Sequence, residues 1–475
     1  MSAATQAAIG TGPSAAPAGV ALVPDGLTAF AARVASLRAA TDTADLQYYA
    51  WHGDLTGTLL AREVIHAADR GVAVRLLLDD MYAIGAERVL AAMDSHPRIQ
   101  VRLFNATSWR RFGPPGLVLE MLFGGWHLDR RMHNKAWIVD GACAIAGGRN
   151  IGDEYFDASG HFNFRDLDLI LRGPPVQAMR GEFENYWSHH LARPLRRISR
   201  AAYRRRALRK LTRRLDAAWS SPAARPYFER LAEAPLVTHL LNGGAGSPFL
   251  AVPSEAIRVV ADPPDKAKAA IPALHCLASA IHGALRAAQH EALIISPYFV
   301  PGTQGAAMIE ALLARGVRVS VVTNSLAATD VAAVHGGYAR YRDRLLAAGV
   351  TLHELKPSGE EGMSVFGSRG ASLHTKALVI DGRVSFVGSF NLDQRSIALN
   401  TEMGTFVDDA RVAAQLRAEY DRLVSPGCSW RVSLAADGAL QWTDGVTTLR
   451  REPFASLGLR MLARVLRWLP IESKL

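Results

Sequence analysis

His133-Asn-Lys135-Ala-Trp-Ile-Val-Asp140-Gly-Ala-Cys-Ala-Ile-Ala-Gly147-Gly148-Arg-Asn150 is matched, 241 residues further on, by His374-Thr-Lys376-Ala-Leu-Val-Ile-Asp381-Gly-Arg-Val-Ser-Phe-Val-Gly388-Ser389-Phe-Asn391. His, Lys, Asp, Gly and Asn recur in register, so the chain contains a duplication. In each copy four apolar residues follow the Lys as a strand, reach Asp-Gly, a strong two-residue hairpin signal, and return as a second strand. Upstream, Arg70-Gly-Val-Ala-Val-Arg-Leu-Leu-Leu-Asp79 parallels Arg315-Gly-Val-Arg-Val-Ser-Val-Val-Thr-Asn324, a helix end at Gly feeding a buried strand. Another strand precedes each helix, at residues 46–50 and 292–296. Strand, helix, strand in both halves argues α/β architecture twice over.

Alternation along a strand puts His133 and Lys135 on one face, and likewise His374 and Lys376. An imidazole beside an ammonium, followed by a glycine that permits close backbone approach, suits an anion. Two such sites facing each other across a pseudo-twofold meet the needs of phosphodiester exchange. One neutral His attacks phosphorus; the other, protonated, donates to the leaving alkoxide and takes the proton from the incoming hydroxyl. Lys135 and Lys376, with Asn150 and Asn391, would stabilise the equatorial oxygens. No spacing typical of a metal site stands out, so no metal and no cofactor is expected. Each His also needs an acceptor. Glu402 lies 28 residues after His374, and Asp166 lies 33 residues after His133, with Asp168 the weaker alternative. Asp166 and Glu402 are therefore expected to serve the histidines of their own copies. Asp140 and Asp381 stand in the catalytic set, although an Asp-Gly turn is reason enough for an Asp.

The 475 residues carry 54 Lys+Arg against 44 Asp+Glu, and 49% are hydrophobic, which excludes a mainly disordered chain. Three scattered cysteines exclude a disulfide framework and fit a reducing compartment. No apolar stretch approaches the ~18 residues of a spanning helix. The net charge of +10 is concentrated: residues 193–214 hold eleven Lys/Arg and no acid. Leu208, Leu211 and Leu215 give that run one apolar stripe, consistent with a helix that either meets a phosphate-bearing partner or links two domains in solvent. Near the C-terminus, Leu459, Met461, Leu462, Val465, Leu466, Trp468 and Leu469 oppose Arg460, Arg464 and Arg467, and Pro470 ends the helix. That pattern fits either an interfacial membrane segment or docking on the protein's own core. The expected divisions are a flexible leader at 1–19, a first lobe at 20–192, a basic helical connector at 193–256, a second lobe at 257–445 and a basic amphipathic tail at 446–475. A mis-assigned start would equally explain the leader.

The doubled His-x-Lys-x4-Asp-x6-Gly-(Gly/Ser)-x-Asn, with Gly148 and Ser389 at the variable position, resembles the phospholipase D superfamily over nearly the whole chain. Arg131-Met-His-Asn-Lys135, Gly147-Gly-Arg-Asn-Ile-Gly-Asp-Glu-Tyr-Phe156, Val334-His-Gly-Gly-Tyr-Ala-Arg-Tyr-Arg342 and Phe390-Asn-Leu-Asp-Gln-Arg-Ser-Ile-Ala-Leu-Asn-Thr-Glu402 are similar to bacterial cardiolipin synthases, the C-type in particular. The resemblance implies two α/β/α lobes with central mixed sheets and a site at their junction. It implies a phosphohistidine intermediate without metal, and phosphatidyl transfer to phosphatidylglycerol from phosphatidylglycerol or phosphatidylethanolamine. It leans to His133 as nucleophile and His374 as acid/base. The two-helix anchor of some relatives is missing, so a peripheral place on the cytoplasmic face of an anionic membrane is expected, reached through the basic amphipathic segments. Residues 117–126 would shelter acyl chains or form a core strand. The competing reading is a phosphodiesterase acting on lipid or nucleic acid, the latter bound by the basic run; an inactive scaffold is disfavoured by two intact motifs.

Overall fold

The computed structural model describes residues 17–107, 109, 112, 115–116, 119–120, 129–199, 201, 203–233, 248–269, 271, 276–357 and 370–468. Residues 1–16 of the expected leader, most of 117–126, Leu469 and Pro470 lie outside these. The strands of the first half are β1 (Ala18–Val23), β2 (Thr43–Tyr48), β3 (Ala73–Asp79), β4 (Ile99–Phe104), β5 (Ala136–Val139), β6 (Cys143–Gly147), β7 (Phe162–Arg165), β8 (Asp168–Arg172), β9 (Ala192–Pro194) and β10 (Leu250–Val252). Those of the second are β11 (Ile257–Ala261), β12 (Glu291–Ile295), β13 (Arg318–Asn324), β14 (Thr351–Leu355), β15 (Gly370–Leu373), β16 (Ala377–Ile380), β17 (Val384–Gly388), β18 (Met403–Asp408), β19 (Ser429–Leu434), β20 (Leu440–Thr443) and β21 (Thr448–Leu449).

Two mixed sheets result, ordered β10-β1-β8-β6-β5-β2-β3-β4-β9 and β11-β18-β17-β16-β12-β13-β14-β19-β20-β21. From β1 to β9 and from β11 to β19 the order is the same, as a duplication requires. At the centre of each, three parallel strands (β2-β3-β4 and β12-β13-β14) are joined through helices, Leu55–Asp69 and Glu87–Met93 in one lobe and Gly302–Ala314 and Ala332–Ala348 in the other. The hairpins β5–β6 and β16–β17 turn on Asp140-Gly141 (φ +52° and +58°) and Asp381-Gly382 (φ +52° and +62°). Two successive positive φ values match the twist of the flanking strands, which is why Asp-Gly stands there.

Three apolar layers follow. One lies outside each sheet, under its crossover helices, and the third lies between the lobes. In that shared layer the helix Pro175–Ser188 packs on β11 of the other lobe, and Ala410–Leu423 packs on β1. The lobes are thus held by reciprocal exchange of helices across one core.

Residues 18 and 19, expected in a leader, belong to β1. Within 193–256, β9 closes one edge of the first sheet and β10 pairs with β1 at the other. The basic helix Arg205–Trp219 between them buries Leu211 and Leu215 against the first lobe's core. Arg62 and His66 hold its Asp216 at 2.8 and 2.9 Å. The tail behaves alike: Leu457–Trp468 lies on Ala332–Ala348 with Ala463 buried, while Leu457, Met461, Leu462, Val465 and Trp468 stay exposed. Each lobe therefore carries one basic amphipathic helix on its outer helical layer.

Candidate active site

The site forms where the chain leaves one sheet and touches the other lobe. β7 pairs in parallel with β15, setting Arg165 beside Leu373, and an isolated parallel bridge sets Met132 beside Thr401. The next residues are Asp166 and His374 in the first case, His133 and Glu402 in the second. The backbone confirms the alignment: His133 N–H donates to Thr401 O at 2.9 Å and His374 N–H to Arg165 O at 2.8 Å. Parallel neighbours in register bring their successors together, so each histidine meets the acid of the opposite lobe. His133 Nδ1 lies 2.8 Å from Glu402 Oε2, and His374 Nδ1 lies 2.5 Å from Asp166 Oδ2. This corrects the expectation that each acid serves its own copy: the pairs are crossed.

Both carboxylates are fully enclosed. Burial pushes Glu402 up, but His133 and Lys135, with the Ser389 hydroxyl, outweigh it and hold it below the usual carboxylate range. Ser389 Oγ and Ser396 Oγ both donate to Glu402. Asp166 is held down against burial by His374, Lys376 and Arg149. Here the position equivalent to Ser389 is Gly148, whose Cβ would fall 2.3 Å from Asp166 Oδ1. Glycine leaves room for the shorter acid in one lobe, and serine feeds a hydrogen bond to the longer one in the other.

His133 and His374 are each 8% exposed, and each Nδ1 is taken by a carboxylate, which leaves Nε2 as the nitrogen available for chemistry. Burial drives His133 down to about 4 and also lowers His374. Lys135 is lowered well below its ordinary value and Lys376 to about 8, again by burial first. Both ammonium groups donate to the backbone carbonyl of their own histidine, Lys135 at 2.6 Å. Lys376 lowers His133, and Lys135 lowers His374, so the four basic groups share one electrostatic environment. Burial is the first cause for all four, and an anion bound among them would favour their charged forms.

The remaining expected residues divide. Asn150 Nδ2 donates to Tyr155 OH at 2.9 Å, whereas Asn391 Oδ1 is buried without a partner. Asp168 is committed to Arg33 at 2.9 Å in the core. Asp140 accepts from the backbone N–H groups of Thr41, Asp42 and Thr43, and Asp381 from those of Gln289, His290 and Glu291. Those two aspartates fasten each hairpin turn to the start of the neighbouring strand and are not brought to the histidines.

Sequence reading missed several neighbours. Tyr49 lies edge-on to His133 at 5.1 Å, and Tyr155 to His374 at 5.2 Å. Ser396 was visible only as part of Asp393-Gln-Arg-Ser, the start of a short helix. Asp262, paired with Lys266 at 2.6 Å, accepts the N–H of Glu402, with no motif to announce it. Among the described residues His52, Asp54 and Glu154 bring potential ligand atoms within 4.8 Å of one another. They are accounted for without an ion: Asp54 caps the helix Leu55–Asp69, and Glu154 pairs with His52 at 3.2 Å.

The fold and the crossed pairs define a two-lobed phosphodiester-handling protein. Comparison with a solved structure agrees on the fold: phosphatidylserine synthase of Haemophilus influenzae Rd KW20 superposes with a TM-score of 0.64 over 97% of both chains, at 13% identity. The family model described as "Cardiolipin synthase, PLD-like domain" matches residues 34–187 and 281–424, and the chain belongs to that family. It is 38% identical to cardiolipin synthase C of Escherichia coli (strain K12) over 94% of each chain. It is also 32% identical to an uncharacterised protein of Helicobacter pylori (strain J99), over 83% of this chain and 77% of that one.

Proposed function

We propose that the protein is a phosphatidyl transferase that makes cardiolipin. The crossed His–carboxylate pairs carry this reading, because they supply two imidazoles with free Nε2 atoms and unequal tasks. Neutral His133 Nε2 attacks the phosphorus of a donor phospholipid, phosphatidylglycerol or phosphatidylethanolamine. The P–N bond forms as the P–O bond to the headgroup breaks, and His374 protonates the departing alkoxide. His374 then takes the proton from the glycerol hydroxyl of an acceptor phosphatidylglycerol, whose oxygen displaces His133 from phosphorus. Glu402 and Asp166 fix the Nδ1–H tautomers and offset the positive charge that each imidazole gains. Lys135 and Lys376 offset charge on the phosphoryl oxygens.

The enzyme works as a peripheral protein on the cytoplasmic face of an anionic membrane. In support, among the described residues no helix is long and apolar enough to cross a membrane, and two basic amphipathic helices lie at the surface. The test is cardiolipin formation from defined phosphatidylglycerol vesicles in the presence of EDTA. Product from wild type and none from His133→Ala or His374→Ala is expected. Cleavage of DNA without any change in the lipids would refute the assignment.

A further inference from the structure

The segment Val334-His-Gly-Gly-Tyr-Ala-Arg-Tyr-Arg342 lies on the helix Ala332–Ala348 and supplies none of the groups placed at the active site. It is instead the socket of the C-terminal helix Leu457–Trp468. Gly336 lets the two backbones meet, because a Cβ there would fall 3.2 Å from Ala463 O, Arg467 N and Leu466 Cβ. Arg342 Nη2 and His335 Nε2 hold Glu452, at 2.8 and 3.4 Å, in the segment that leads into the helix. Arg340 donates to Arg467 O, and Asp343 pairs with the Arg467 side chain at 3.6 Å. The start of the helix is seated too, with Ala455 and Leu459 on Leu326, just past β13. Asn324, the last residue of β13, exchanges two hydrogen bonds with the backbone of Leu373, at 2.8 and 2.9 Å, and Leu373 precedes His374. The helix therefore stands on the end of the second sheet that adjoins the active site.

This seat uses the narrow side of the helix and leaves the broad apolar side out. At 3.6 residues per turn, Leu459, Ala463 and Leu466 share the face turned to the protein, and Leu457, Met461, Val465 and Trp468 the face turned away. Those four are 70%, 61%, 59% and 81% exposed. Arg460 and Arg464 line one side of the row, and the helix carries no acid. An amphipathic helix that only packed on its own protein would turn these faces the other way round. The connector helix Arg205–Trp219 does so: Leu211 and Leu215 are buried, and none of its large apolar side chains is exposed.

We propose that the outward face of Leu457–Trp468 inserts into the interfacial layer of an anionic bilayer and is the surface that seats the enzyme on its substrate membrane. The inference rests on the peripheral-enzyme reading and deepens it, choosing between the two basic helices and naming the mode of contact, which is apolar insertion and not charge alone. A second copy of the same face would bring three more arginines and no acid on the helix to receive them. An anionic bilayer surface supplies the counter-charge and the hydrocarbon together, and a tryptophan at the end of such a helix suits the boundary between them. Because the socket is rigid and adjoins the strand that carries His374, insertion also sets where the active site stands relative to the lipid headgroups.

Two measurements on the full chain test it. Leu457→Ser, Met461→Ser and Val465→Ser, combined in one variant, leave the charge unchanged. Sedimentation with phosphatidylglycerol vesicles is expected to show binding weakened about a hundredfold, at about fivefold for each half-exposed side chain carried into the bilayer. Turnover of monomeric dihexanoyl phosphatidylglycerol and the denaturation midpoint should both be retained. In parallel, vesicles of phosphatidylglycerol brominated on its acyl chains are expected to quench tryptophan fluorescence of the wild type, and that quenched component should be missing from Trp468→Phe. Unchanged vesicle binding by the triple variant, or quenching that persists in Trp468→Phe, would overturn the proposal. So would a wild-type dimer in lipid-free buffer that the same substitutions dissociate. A wild type that makes no cardiolipin from either lipid, yet binds and is quenched as described, would remove the transferase reading and leave this surface standing.

Discussion

Glu402→Gln isolates the crossed pairing, because it changes a charge in the second lobe and is read at a histidine of the first. Glu402 is completely buried and holds His133 Nδ1 at 2.8 Å while accepting from Ser389 and Ser396. A glutamine fits the same space and can keep an oxygen for Ser396, but its amide nitrogen then faces Ser389 and His133 and cannot accept the Nδ1–H. A hydrogen bond to a charged partner is worth about 1.5–3 kcal/mol, so kcat/KM on phosphatidylglycerol vesicles should fall about 10- to 150-fold. Losing the carboxylate should also move the titration of His133 further down while leaving His374 in place, as read by NMR of histidine labelled with 13C in the ring. A loss below about threefold, or a shift at His374 in place of His133, would refute the crossed arrangement.

The pH profile follows from the same groups. Attack needs neutral His133, pushed to about 4, and departure of the headgroup needs protonated His374, which burial lowers from its ordinary value, with Lys376, lowered to about 8, offsetting charge. Because kcat/KM reports the free enzyme, it should rise through about pH 4 and fall as His374 loses its proton, before Lys376 does at about pH 8; a flat profile to about pH 10 would contradict this. Stability should also depend on acid. His133 binds its proton less readily folded than unfolded, so the protein loses about 3 kcal/mol as pH falls from about 6.5 to about 4, a slope that His133→Gln should reduce in denaturant titrations. Gly148→Ala should displace Asp166 and cost about 1–3 kcal/mol, visible as a lower denaturation midpoint together with reduced kcat. Asp140→Ala should lower stability by about 1–2 kcal/mol through its lost backbone hydrogen bonds yet leave kcat within about twofold. Replacing Arg460, Arg464 and Arg467 by Gln should weaken binding to anionic vesicles about 150-fold, at about 1 kcal/mol per charge, measured by sedimentation.

The duplicated frame at His133 and His374 was legible because hairpin strands, turns and polar markers are local features, and their repetition at one offset tells of a repeated fold. The identities of Asp166 and Glu402 were legible for the same reason. Their partners were not: Met132 meets Thr401, and Leu373 meets Arg165, through bridges between lobes that no periodicity encodes. Spacing within a copy therefore pointed each acid at the wrong histidine. The basic helices stayed ambiguous because one apolar stripe serves a core or a bilayer equally well. Leu211 and Leu215 proved to be a seat, whereas the broader arc around Met461 and Val465 is divided between a seat at Ala463 and solvent. Asp140 and Asp381 were read into the catalytic set by motif; the positive φ at each, and three backbone N–H donors apiece, explain their presence structurally.

Whether two imidazoles from opposite lobes serve one phosphorus is tested most directly by an experimental structure of the full chain soaked with tungstate, an anion of phosphate-like geometry. A single tungstate lying between His133 Nε2 and His374 Nε2, about 3 Å from each, with Lys135 and Lys376 beside it, is the expected result. Tungstate held by one histidine alone, with the other ring too distant to reach it, would contradict the shared site.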